Sequence, residues 1–274
     1  TAVDCDDMAC TAKRDKEKEE SPVKARIYTN LMFRHWDTWE DMKRSHIFVW
    51  PGRTGAGPVD LMKGADADSP TKPFGGGEEY AWSPDGKEIA FTAKMVANEA
   101  ISTDTDIYLA ATDGSGYKCI TETNEAVDTT PVYSPDGKRI AWLAMARPGY
   151  ESDKQAVVLF DVATGTSRIL TGDWDRSAGS LAFTGDGKKL IVTATDTARS
   201  KIFSVDATTG RVTPVVSDHY NGSLSIAAGG RLVFLQDSLT APAEVFTCRL
   251  DGTEIKRLTG INDAQLSIGQ IGAE

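Results

Sequence analysis

Three histidines, His35, His46 and His219, are the side chains of this chain best suited to moving a proton near neutral pH. A hydrolytic serine working with one of them would sit in Gly-x-Ser-x-Gly on a sharp strand-to-helix turn, and the sequence holds no such pentapeptide. Gly114-Ser-Gly reads as a hairpin tip. Gly52 to Gly57 reads as a glycine-containing turn without the strand-to-helix setting of a phosphate loop. His35, between Arg34 and Trp36, reads as a packed or hydrogen-bonded structural residue or as one that lines a substrate face, while His46 opens a strand and His219 lies in a polar turn, both at the surface. No catalytic residue, metal site or cofactor is expected. No Asp-x-Asp-x-Asp-Gly loop occurs for calcium, and no second Cys/His pair joins Cys5 and Cys10 to hold zinc.

Cys5 and Cys10 bracket a short acidic segment, and such close spacing predicts a small disulfide loop made in an oxidising compartment. Cys119 and Cys248 fall in apolar strand patterns as buried small hydrophobes. A net charge of −10 over 274 residues argues against binding to nucleic acid or to an anionic membrane, both of which want a basic surface. No stretch approaches the roughly 20 apolar residues of a membrane span. The alternately charged run Lys13 to Glu20 reads most economically as a solvated loop, with a short exposed helix as the alternative, and Asn221-Gly-Ser matches a glycosylation pattern.

The elements that carry these residues repeat. Tyr80-Ala-Trp-Ser-Pro-Asp-Gly-Lys, Val132-Tyr-Ser-Pro-Asp-Gly-Lys and Ala182-Phe-Thr-Gly-Asp-Gly-Lys align, with a weaker copy at Ile226-Ala-Ala-Gly-Gly-Arg. Their equivalent glycines, Gly86, Gly137, Gly187 and Gly230, are 51, 50 and 43 residues apart. Each copy is a strand end, a tight Asp-Gly turn and a second apolar strand, which is a β-hairpin whose turn chemistry needs no functional explanation. A second hairpin follows each one, so the period predicts four-stranded blades of an all-β propeller. The blades are expected at 76–122, 128–172, 178–216 and 222–260. Trp82, Tyr133 and Phe183 recur once per blade and are expected in the core between blades.

Outside these blades, residues 1–24 read as a loop and 25–70 as a partial blade with an insertion. Residues 261–274 read as the start of another blade or a linker. About four full blades with partial ones at the edges predict an open ring from a longer protein. An open ring exposes a blade edge, so association between copies is expected.

The run Val23 to Trp39, containing Arg34-His-Trp-Asp-Thr-Trp, then Ser45-His-Ile-Phe-Val and Pro73-Phe-Gly-Gly-Gly-Glu-Glu-Tyr, resembles the propeller of prolyl oligopeptidase family serine peptidases, of the dipeptidyl and acylaminoacyl type. That resemblance implies a periplasmic or secreted exopeptidase, with peptide substrates gated and positioned for an α/β-hydrolase domain that this chain lacks. It implies that Glu78, Glu79 and Arg34 contact substrate, the carboxylates clamping a free α-amine, although Arg34 is equally suited to an ion pair with Asp37. The alternative is a TolB-like periplasmic propeller that binds protein partners.

Overall fold

A computed structural model describes residues 2, 5, 7–29 and 31–269. The chain divides into two compact units, 1–131 with 145–153, and 132–144 with 154–274.

In the first unit the segment expected as a loop is instead helical. Asp7 caps α1 (Met8–Glu20) by accepting from the backbone N–H of Cys10 at 2.7 Å, which satisfies one of the free donors of a helix N-terminus. Lys13–Glu17 and Lys16–Glu20 contacts line its exposed surface, so the charge run that resembles a solvated loop has i,i+4 helical support. Cys5 and Cys10 are joined as a disulfide, with Cα atoms 5.5 Å apart.

Two small hairpins follow, β1 (Arg34–His35) with β2 (Thr38–Trp39), and β3 (Phe48–Val49) with β4 (Val59–Asp60). The first complete blade is a meander of β5 (Tyr80–Trp82), β6 (Glu88–Ala93), β7 (Asp106–Ala111) and β8 (Tyr117–Cys119). The first unit's core gathers Ile47, Val49, Leu61 and Met62 from around β3 and β4 with Ile89, Phe91 and Tyr108 from this blade.

The next blade runs β9 (Asp128–Tyr133), β10 (Arg139–Ala144), β11 (Ala156–Asp161) and β12 (Thr166–Ile169). Two further blades lie wholly in the second unit. One comprises β13 (Ala178–Phe183), β14 (Lys189–Asp196), β15 (Arg199–Asp206) and β16 (Val212–Val216). The other comprises β17 (Tyr220–Ala227), β18 (Arg231–Ser238), β19 (Ala241–Arg249) and β20 (Lys256–Arg257). All pairings recorded in these sheets are antiparallel between sequence neighbours, which is the arrangement of β-propeller blades.

The repeated turn is built identically three times. Ser83, Ser134 and Thr184 each donate their hydroxyl to the Asp two residues on, at 2.8, 2.6 and 2.6 Å. That Asp in turn accepts the N–H of Lys87, Lys138 or Lys188. Gly86, Gly137 and Gly187 follow at φ of 70, 68 and 65°, the left-handed region where a Cβ is disfavoured.

The expectation for the recurrent aromatics needs correction. Phe183 is buried, 9% exposed, under the Arg139 guanidinium 5.8 Å from its ring centroid, but Trp82 is 52% exposed. Arg139 opens the second strand of the blade before Phe183; the hairpin β3–β4 ahead of Trp82 has no such strand to supply a cover. Residues 263–266, within the stretch expected as the start of another blade or a linker, form a short helix, α2. Buried Glu244 on β19 holds this segment by accepting from Thr259 Oγ1, Asn262 N at 3.0 Å and Arg257 at 3.1 Å. Residues 270–274 of that expectation lie outside the described residues.

Candidate functional site

The first unit carries an open cavity of about 1060 Å³, walled by the segment around 28–44, the stretch 66–74 and two blade loops, 94–103 and 149–152. The loops are insertions between the second and third strands of their blades. In the two blades without one, β14 turns into β15 through Thr197-Ala198 alone and β18 into β19 through Leu239-Thr240 alone.

The first wall is held by aromatic packing. Tyr28, Phe33 and Trp39 pack against one another with ring centroids 5.8 to 6.0 Å apart, and the Tyr28 hydroxyl donates to the Glu40 carbonyl at 2.9 Å. The hairpin β1–β2 projects Trp36 at its tip, φ 45° and 76% exposed, edge-on to Phe74 at 5.3 Å. Arg34 donates to the Trp36 carbonyl at 3.1 Å and lies over the Trp39 ring. It therefore braces the tryptophan turn, and makes no ion pair with Asp37 among the described residues.

Arg44 ties this wall to the first loop. Its guanidinium reaches Asp66 at 2.7 Å, Asp68 at 3.0 Å and Glu99 at 2.9 Å. Burial opposes its charge, but bonds to the three carboxylates outweigh that and hold its pKa above the ordinary value. Asp68, only 3% exposed, also accepts the Ser45 N–H at 2.6 Å and stands 3.2 Å from Lys72. The two loops are pinned together where Gly149 N–H donates to Thr103 Oγ1 at 2.8 Å, and Arg147 stacks on Tyr150 at 4.1 Å.

The cavity's charges are nearly all committed. Lys43 pairs with Asp15, Lys72 with Glu40 and Asp68, and Arg44 with Asp66 and Glu99. Among the described residues, the lining ionic groups with no ion pair or side-chain hydrogen bond are Lys94 and Glu151. Burial lowers the Lys94 pKa, with the nearby charges of Glu99, Glu151 and Asp104 opposing the shift.

The residues expected to touch substrate lie elsewhere. Glu79 is buried, 7% exposed, and accepts from Thr71 N–H at 2.6 Å and Thr71 Oγ1 at 2.7 Å; burial raises its pKa although the Thr71 bonds oppose the rise. A Cβ on Gly75 would collide with Thr71 backbone and with the Glu79 carboxylate, so the Gly75-Gly-Gly-Glu-Glu motif is a folded brace at this point. Glu78 is exposed on the same turn. Neither carboxylate, nor Arg34, lines the cavity, whereas His35 does, with Nδ1 3.8 Å from Glu40. His46 is buried rather than at the surface, its Nδ1 2.8 Å from Asp60.

Arg44, Lys94, Tyr150 and Glu151 went unmarked because they recur in no motif. Their signal was the period itself: spacings of 51 and 50 against 43 record the two loops that the third interval lacks.

Four successive four-stranded antiparallel meanders define the chain as a β-propeller. It is 32% identical over 200 residues to dipeptidyl-peptidase 5 of Porphyromonas gingivalis, covering 72% of this chain but only 29% of that protein. The acylaminoacyl peptidase of Pyrococcus horikoshii shares the fold at a TM-score of 0.56 and 18% identity, over 78% of this chain and 30% of its own. TolB from Acinetobacter baumannii does so at 0.51 and 20%, over 75% and 46%. No family model matches the sequence. The chain belongs to the prolyl oligopeptidase family of peptidases, matching its propeller portion.

Proposed function

We propose that this chain is the propeller part of a secreted or periplasmic serine exopeptidase, and that the first-unit cavity receives the peptide and positions it for a downstream α/β-hydrolase domain. The observation that carries this is a cavity with aromatic walls and two uncommitted opposite charges in a chain related to a dipeptidyl-peptidase. Aromatic faces bury a side chain at small entropic cost, and fixed charges orient a peptide end. The propeller itself performs no bond cleavage in this scheme; the hydrolase domain releases dipeptides or acyl-amino acids. Arg34 acts through Trp36 as a positioning residue, Glu79 keeps the Thr71–Glu79 turn folded, and exposed Glu78 is a weaker candidate than Glu151 for meeting the peptide amine.

The test is steady-state kinetics of the longer protein on dipeptide amides. Trp36→Ala with Phe74→Ala raises KM about tenfold with kcat little changed, the mark of lost ground-state binding. An unchanged KM would overturn the proposal. In the TolB-like alternative the same exposed rings meet a protein partner; the double variant then loses a captured partner while peptide hydrolysis is absent from the start.

A further inference from the structure

We propose that the cavity of the first unit also binds short free peptides as zwitterions, Glu151 taking the ammonium end and Lys94 the carboxylate end. The choice of a peptide rests on the function proposed above; the two charges are drawn from the lining of one cavity and from their lack of a bonded partner among the described residues.

Holding an ammonium half-buried without a partner is costly unless something satisfies it. Three carboxylates lie near enough to Lys94 for their charge to be felt, yet none bonds it. Glu99 is committed to Arg44 at 2.9 Å. Asp104 is turned so that its Oδ1 is buried with no hydrogen-bond partner. Glu151 lines the same cavity and is likewise unbonded. A purely anionic ligand would bring its charge beside Glu151 and Asp104, and a purely cationic one would meet Lys94. A molecule carrying both ends satisfies both groups and adds no net charge.

The two charges come from different blade loops, and the bond from Gly149 N–H to Thr103 Oγ1 at 2.8 Å fixes one loop on the other. Such fixing lowers the entropic cost of binding. Trp36, Phe74, Tyr150 and Ile101 line the same cavity and offer apolar surface suited to an aromatic or aliphatic side chain. The volume is at the upper end of the roughly 300–1,000 Å³ of small-molecule sites, ample for two or three residues. Peptides free at both ends are what an exopeptidase releases, so the site would retain product.

Calorimetric titration of the 274-residue chain with phenylalanyl-alanine, its N-acetyl form and its C-terminal amide tests this without any hydrolysis step, so failure here leaves the KM experiment standing. Acetylation and amidation each weaken binding about tenfold, the worth of one charge-assisted hydrogen bond. Glu151→Gln removes the penalty for acetylation only, and Lys94→Met removes the penalty for amidation only. Equal affinity for the three ligands, or no binding of the free dipeptide at millimolar concentration, overturns the inference. The comparison of ligands on the parent chain decides the matter even where a variant fails to fold.

Discussion

Arg44 Nη2 lies 2.9 Å from Glu99 Oε2, and through that bond a segment lying ahead of the first complete blade is fastened to a loop inside it. Glu99→Gln therefore loosens the loop 94–105 more than the blade. Hydrogen exchange of amides in 94–105 accelerates, while β6 and β7 keep their protection. Arg44→Met is more severe, because buried Asp68 loses a charged partner; a loss of about 2–4 kcal/mol is expected in denaturant unfolding, in the lower part of what breaking a buried pair costs since the guanidinium is partly exposed.

Glu79 braces the turn that starts at Thr71. Glu79→Ala leaves the Thr71 N–H without its acceptor and costs about 1–3 kcal/mol, whereas affinity for peptides, measured on the folded fraction, stays as it was. A selective loss of peptide binding in Glu79→Gln, with its melting temperature unchanged, would restore the carboxylate to the substrate.

Glu244 makes the second unit sensitive to acid. Hydrogen bonds from the Thr259 hydroxyl and the Asn262 N–H, with Arg257 close by, outweigh desolvation and depress its pKa from 4.5 to about 2. A carboxylate whose folded pKa is depressed contributes stability that is complete above its unfolded pKa and lost as pH falls through the folded one. Melting temperatures of parent and Glu244→Gln are accordingly furthest apart above pH 4.5 and converge as pH falls towards about 2. A gap constant across that window would contradict this.

Two of the three recurrent aromatics, Trp82 and Phe183, diverge in the same way under mutation. Phe183→Ala destabilises by about 3 kcal/mol, as large-to-small core changes do. Trp82→Thr changes stability by no more than about 0.5 kcal/mol, as at an open surface. Equal losses at both positions, measured by urea unfolding, would place Trp82 in a core after all.

These contrasts mark what a sequence can disclose. Strands and turns were legible because blade chemistry is local: Ser134, Asp136 and Gly137 need only one another to make their turn. Burial of Trp82 was not, since it depends on whether a neighbouring strand carries a cover such as Arg139. The α1 run was ambiguous because alternating charge serves a loop and an exposed helix equally well until the Asp7 cap is seen. The cavity was least legible. Its residues are drawn from four separated stretches, and only the length of the repeat, never its pattern, betrayed the loops that bring them together.

The junction between the second and third strands is closed by Thr197-Ala198 in one blade and by 94–105 and 145–155 in two others. In each case the sheet on either side keeps its order. That junction thus works as a socket: its contents can be exchanged while the surrounding ladder is left in register. Recognition in such a chain could be rewritten by insertion, and transplanting 145–155 in place of Thr197-Ala198 is where an engineer would begin.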